Sequence, residues 1–104
     1  MAILVAEIGW NFLGNLKIAK KMILSAKKSG ADAVKFQIWD PKFLKKGKWD
    51  KDGRREIYEK AFLNKKKYSI LKKFSKLNKI RCFASAFNLE GMKLLKRIGD
   101  TWIK

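Results

Sequence analysis

Four short apolar runs, separated by longer stretches whose apolar residues recur every three or four positions, constrain the fold of this chain more than any other feature. Ile3 to Ile8 is the first run, ending at Gly9, and it is too short for a helix, so it reads as a buried parallel strand. Asn11 to Gly14 is a turn. Asn15 is a candidate cap for a helix in which Leu16, Ala19, Met22, Ile23 and Ala26 share a face, and Ser29-Gly30 stops it. The second strand is Ala33 to Trp39, with Val34, Phe36 and Ile38 on one face and Lys35 and Gln37 on the other. Strand, helix and strand joined this closely make a βαβ unit, which pairs its strands in parallel.

Residues 40–53 hold the single proline, Pro41, with Gly47 and Gly53, and form a long loop. A short helix is expected over 54–62. Asn64 caps another, whose stripe is Tyr68, Leu71, Phe74 and either Leu77 or Ser75. Ile80 to Phe87 is the third strand. Near Asn88 begins a helix carrying Met92, Leu95 and Ile98, ended by Gly99, and Thr101-Trp102-Ile103-Lys104 begins a fourth strand. Strands alternating with helices give the α/β class.

The charge is lopsided. Lys and Arg number 26 against 9 acidic residues, a formal +17, which raises the possibility of a polyanion-binding module. Yet 22 of those cations are lysines and 4 are arginines, whereas base readout and bidentate phosphate contacts favour the arginine fork. Lys20/Lys21, Lys27/Lys28, Lys65 to Lys67, Lys72/Lys73 and Lys93/Lys96 are scattered over what should be the solvated faces of successive helices. Nucleic acid is therefore the lesser expectation. A 47% hydrophobic content over 104 residues supplies a core for one domain, 1–104. With one cysteine and no histidine, an internal disulfide and a Cys/His zinc site are excluded, and Cys82 has no histidine to activate it. No run approaches the ~18 apolar residues of a membrane span and no signal-peptide pattern is present, so a soluble, cytoplasmic protein is expected.

In parallel α/β folds chemistry gathers at the carboxyl ends of the strands. The candidates that stand out there are Glu7 near the end of strand one, Lys35 and Gln37 in strand two, Ser85 near the end of strand three and Lys104 in strand four. If the first two strands pair, Glu7 and Lys35 are adjacent, either as a plain ion pair or as part of an anion site in which Lys35 and Lys104 supply charge and Ser85 a hydrogen bond. Trp10, Trp39, Trp49 and Trp102 are read as core caps in preference to a sugar-binding pocket.

The order of these motifs resembles a known family. Ala6-Glu7-Ile8-Gly9-Trp10-Asn11, Gly30-Ala31-Asp32-Ala33-Val34-Lys35-Phe36-Gln37, Ser85-Ala86-Phe87 and Ile103-Lys104 are similar to the N-terminal part of the barrel in the sialic acid (N-acetylneuraminate) synthase family. The resemblance implies a partial TIM (β/α)₈ barrel: its first three βα units plus the start of strand four. It implies condensation of phosphoenolpyruvate with an N-acylated amino sugar of the N-acetylmannosamine type, giving a nine-carbon 2-keto sugar acid and phosphate. By position, Lys35, Ser85 and Lys104 match residues that contact phosphoenolpyruvate, and Glu7 and Gln37 match catalytic-site residues near substrate. The chain reads Asn11-Phe12 where the family has Asn-His, and Ser85-Ala86-Phe87 where it commonly has Thr-Pro-Phe. A divalent manganese or magnesium ion and a homodimer are implied for the full-length family, with the metal's histidine ligands in later strands. A barrel of this type needs ~250 residues. The expectation is thus a fragment, catalytically incomplete, that is either marginally stable alone or pairs with other chains; another phosphate-binding barrel enzyme, such as an aldolase, is the further alternative.

Overall fold

The computed structural model describes residues 2–43 and 45–99, apart from the Trp49 side chain. Within them β1 (Val5–Gly9), β2 (Ala33–Ile38) and β3 (Arg81–Ala86) form a sheet in the order β1-β2-β3, with both pairs parallel. Helices α1 (Leu16–Lys28), α2 (Arg54–Lys60), α3 (Lys65–Leu77) and α4 (Leu89–Ile98) fill the connections. The fourth strand expected at 101–104, with Lys104, lies outside the described residues.

Each of the three longer helices starts on an asparagine whose side chain accepts a backbone N–H that the first turn leaves unpaired. Asn15 accepts from Ile18 at 3.2 Å, Asn64 from Lys67 at 2.8 Å and Asn88 from Gly91 at 2.9 Å. Gly99 stops α4 in the left-handed conformation, φ 83°. Alternation along β2 turns Val34, Phe36 and Ile38 towards Ala19 and Ile23 of α1, Tyr68 and Leu71 of α3, and Leu95 of α4. Phe12, Phe36 and Tyr68 run through this core edge to face, with centroids 5.6 and 6.5 Å apart.

The structure resolves or corrects several sequence expectations. Ser75, not Leu77, completes the α3 stripe: Ser75 is fully buried and bonds the Leu71 carbonyl at 2.8 Å, while Leu77 is 76% exposed. The reason is angular, because 68, 71 and 75 stay on one face at 100° per residue and 77 does not. In α4 Met92 is exposed, and the inward positions are Gly91 and Leu95, with Leu94 and Ile98 partly covered. Gly91 lets the helix approach the sheet, since a Cβ there would lie 3.2 Å from the Ile38 carbonyl oxygen.

β1 is shorter and wetter than expected. Ile3 and Leu4 are exposed and precede the strand; the Leu4 backbone is held by Asp32, its N–H donating to the carboxylate at 2.8 Å and its carbonyl accepting the Asp32 N–H at 2.8 Å. Only Ile8 and Gly9 of β1 are buried, because among the described residues the strand has a neighbour on one side alone. The loop after β2 is built from two single 3₁₀ turns, Pro41–Phe43 and Lys48–Asp50, and the helix expected over 54–62 ends at Lys60. Some of the lysines expected on solvated faces bond or pack against the protein, Lys27 among them, its ammonium donating to the Lys79 carbonyl at 3.0 Å. Lys20 sits 5.3 Å from the Phe74 ring, and Lys72 donates to the Cys82 carbonyl at 3.0 Å beside Tyr68.

Candidate functional site

The residues that alternate with the core-facing row of β2 form the candidate site. Register pairs Glu7 with Lys35, Lys35 with Phe83, and Gln37 with Ser85, so all of these side chains leave the sheet on the face away from the α1, α3 and α4 core. Four of the five sequence candidates are thereby brought together. The fifth, Lys104, lies outside the described residues.

Lys35 is the charged centre. Its side chain is 11% exposed, and Nζ meets Glu7 Oε1 at 2.5 Å, while the Glu7 side chain is 48% exposed. An ammonium this far from water requires a counter-charge, and across the strand register Glu7 is the carboxylate that supplies it. The plain ion pair weighed from the sequence is therefore present. One residue pair further along, Gln37 and Ser85 are partly exposed and offer neutral hydrogen-bonding groups. A bulge between Glu7 and Gly9 brings the end of β1 under Gln37, where a Cβ on Gly9 would stand 3.6 Å from the Gln37 amide carbon. Gly9, at φ +60°, leaves room for that amide; the sequence shows a glycine there, but its partner comes from a strand 28 residues away.

Aromatic residues mark the carboxyl ends of the strands. Trp10 follows β1, Trp39 follows β2 and Phe87 follows β3. Tyr58 of α2 meets Trp10 and Trp39 edge to face at 6.1 and 5.9 Å, and Phe87 stacks on Trp39 at 5.8 Å. Trp39 is 2% exposed and donates its indole N–H to the Tyr58 carbonyl at 3.1 Å, which bears out its reading as a core cap. Phe87 is exposed. The Trp49 side chain and Trp102 lie outside the described residues. Cys82 faces the helices, buried among core residues and turned away from Ser85.

On the helix side, a groove of about 300 Å³ lined by Trp39, Phe43, Phe62, Leu94 and charged rim residues shares no residue with the Glu7, Lys35, Gln37 and Ser85 cluster. The strand-face cluster, not this groove, contains the enclosed Lys35 ammonium and its Glu7 partner. Among the described residues no three His, Cys, Asp or Glu side chains come together as ligands for a metal. No described helix is long and apolar enough to cross a membrane.

Parallel strands backed by helices on one face, with polar side chains set along the other, define an α/β protein built from βα repeats. Residues 22–104 match the model of the NeuB family, and the chain belongs to that family. Pseudaminic acid synthase from Campylobacter jejuni is 36% identical over 105 residues, covering 90% of this chain and 31% of the relative. N,N'-diacetyllegionaminic acid synthase from the same organism is 31% identical over 108 residues, covering 93% of this chain and 32% of the relative. The crystal structure of N-acetylneuraminic acid (sialic acid) synthetase from Leptospira borgpetersenii superposes with a TM-score of 0.84 at 30% identity, over 97% of this chain and 34% of that one. The parallel sheet and its helices thus match part of a sialic acid synthase barrel, and the chain spans about a third of the length of the curated relatives it matches.

Proposed function

We propose that this chain forms the anion-binding part of a synthase that condenses phosphoenolpyruvate with an N-acylated amino sugar, yielding a nine-carbon 2-keto sugar acid and phosphate. The carrying observation is Lys35: an enclosed ammonium on the sheet face away from the α1, α3 and α4 core, with Gln37 and Ser85 paired two residues further along that face. Relatives named as pseudaminic and legionaminic acid synthases support the product class. In this reading Lys35 holds a carboxylate or phosphate by charge, and the Ser85 hydroxyl donates to one of its oxygens. Gln37 orients the second substrate at the carboxyl end of β2, and Glu7 sets the charge state of the cluster. Lys104 joins as a second cation.

A divalent manganese or magnesium ion, in the full-length enzyme, would polarise the sugar's aldehyde. The described residues of this chain provide no ligand set for it, so no step assigned to them passes through the metal. A homodimeric, cytoplasmic full-length enzyme completes the proposal, with this segment inactive in isolation. The partial barrel assigned to residues 1–104 is part of the same reading.

Titrating phosphoenolpyruvate into the ¹⁵N-labelled chain tests it. The amides of Lys35, Gln37 and Ser85 should move together, and Lys35→Met should weaken binding at least about tenfold, as expected when a charge-assisted contact worth ~1.5–3 kcal/mol is removed. Shifts spread over the lysines of α1 and α3 instead, with equal or tighter binding of random-sequence DNA that falls steeply with salt, would overturn it in favour of a polyanion-binding module.

A further inference from the structure

The two members of the central ion pair are not equivalent. Lys35 is the enclosed one, 11% exposed, and Glu7 is 48% exposed on a strand with a single described neighbour. Turning Glu7 away places a carboxylate in water at small cost, because that side chain is already half solvated. Lys35 cannot follow it, and once Glu7 leaves, its ammonium needs another anion.

We infer that Glu7 is a charge filter on the anion site, a resident carboxylate that occupies Lys35 until a ligand carrying two or more negative charges displaces it. The inference rests on the proposed reading of Lys35 as the group that holds the anion. A free monocarboxylate offers Lys35 no more charge than Glu7 does. It also competes against a group tethered on the neighbouring strand, whose effective concentration is of millimolar order or above. A phosphate ester brings more charge and more acceptor oxygens, and the Gln37 amide and the Ser85 hydroxyl, two residues further along the same face, offer it additional donors. The filter therefore admits a phosphorylated acid and rejects the same acid without its phosphate. Glu7 acts here through Lys35, as a positioning and selectivity residue.

The test follows the Lys35 side-chain ammonium by NMR in the full chain, with phosphoenolpyruvate, pyruvate and acetate as probes. In the wild type only phosphoenolpyruvate should shift Lys35. In Glu7→Gln, which keeps the size and polarity of the side chain, phosphoenolpyruvate should bind about two- to fivefold tighter, the range set by losing one half-exposed competing pair. Pyruvate and acetate should now shift Lys35 as well. Unchanged amide positions for Val34 and Ala84 would show that the core is intact. If phosphoenolpyruvate binds the wild type but binds Glu7→Gln equally or more weakly, the filter is wrong and the anion site stands. If phosphoenolpyruvate shifts Lys35 in neither protein, the anion site itself is wrong, and the filter falls with it. Should Glu7→Gln not fold, Glu7→Asp, whose shorter carboxylate reaches Lys35 less well, is read in its place: pyruvate and acetate should shift Lys35 more than in the wild type, and responses equal to the wild type overturn the filter.

Discussion

Asp50 illustrates how single residues order the loop after β2. Its carboxylate accepts the Gly47 backbone N–H at 3.0 Å and the Arg55 Nε at 2.7 Å, and these contacts, the Gly47 bond first, hold the carboxyl below the ordinary aspartate value of 3.8. A carboxyl lowered in this way stabilises the folded chain above the unfolded-state pKa, and that contribution disappears as pH falls through the folded value. Asp50→Asn should therefore unfold at lower urea than wild type at pH 6, and the gap should close as pH falls below 3.8 and through the lowered folded-state value. A gap that persists unchanged in acid would show that the loop is held by something else. Asp52, lowered chiefly by Arg54 on the exposed surface, forms a parallel pair of smaller consequence. Nothing in the sequence around Asp50 distinguishes it from its acidic neighbours; the selection is made by the 3₁₀ turn that aims the Gly47 N–H at it.

Among the helices, those with an asparagine cap differ from the one without. α2 has seven residues, none buried, and starts from Gly53 at φ +89° with no capping side chain. Its amides should exchange with solvent well before those of α1 and α3, whose inward faces are fixed in the core. Asn64→Ala should cost ~1 kcal/mol through loss of the bond to Lys67, lowering the melting temperature by roughly 4–8 °C. Gly14 makes a harsher demand. At φ +79°, a Cβ would stand 1.9 Å from the Lys60 carbonyl oxygen, so Gly14→Ala must push the turn after β1 away from the end of α2. A loss larger than that of Asn64→Ala, about 2 kcal/mol or more, is expected from the same melting experiment. The asparagine caps and the Ser29-Gly30 and Gly99 stops were legible in the sequence because each acts within one turn of chain. The clash at Gly14 was not, since its partner lies 46 residues away.

At the largest scale, the stability of the described residues rests on helices packed against one face of a three-stranded sheet. Leu71→Ala should cost ~2–5 kcal/mol in urea unfolding, whereas Leu77→Ala, six residues along the same helix and 76% exposed, should stay within about 0.5 kcal/mol. Equal losses at the two positions would mean that α3 is rotated from the phase described. The sequence by itself determined the alternation of strand and helix, the caps and stops of the three longer helices, and the set of polar residues worth following, among them Glu7, Lys35, Gln37 and Ser85. These are local properties: hydrophobic period and capping are written within a few residues of where they act. The tertiary structure decided that β2 lies between β1 and β3, that β1 is half open to water, and that the Lys35 ammonium is enclosed while its carboxylate partner is not. Those outcomes depend on register between strands tens of residues apart. A slip of one residue in that register would turn Lys35 into the apolar core and Phe36 out of it, so burial against the helices selects the arrangement that places Lys35 beside Glu7.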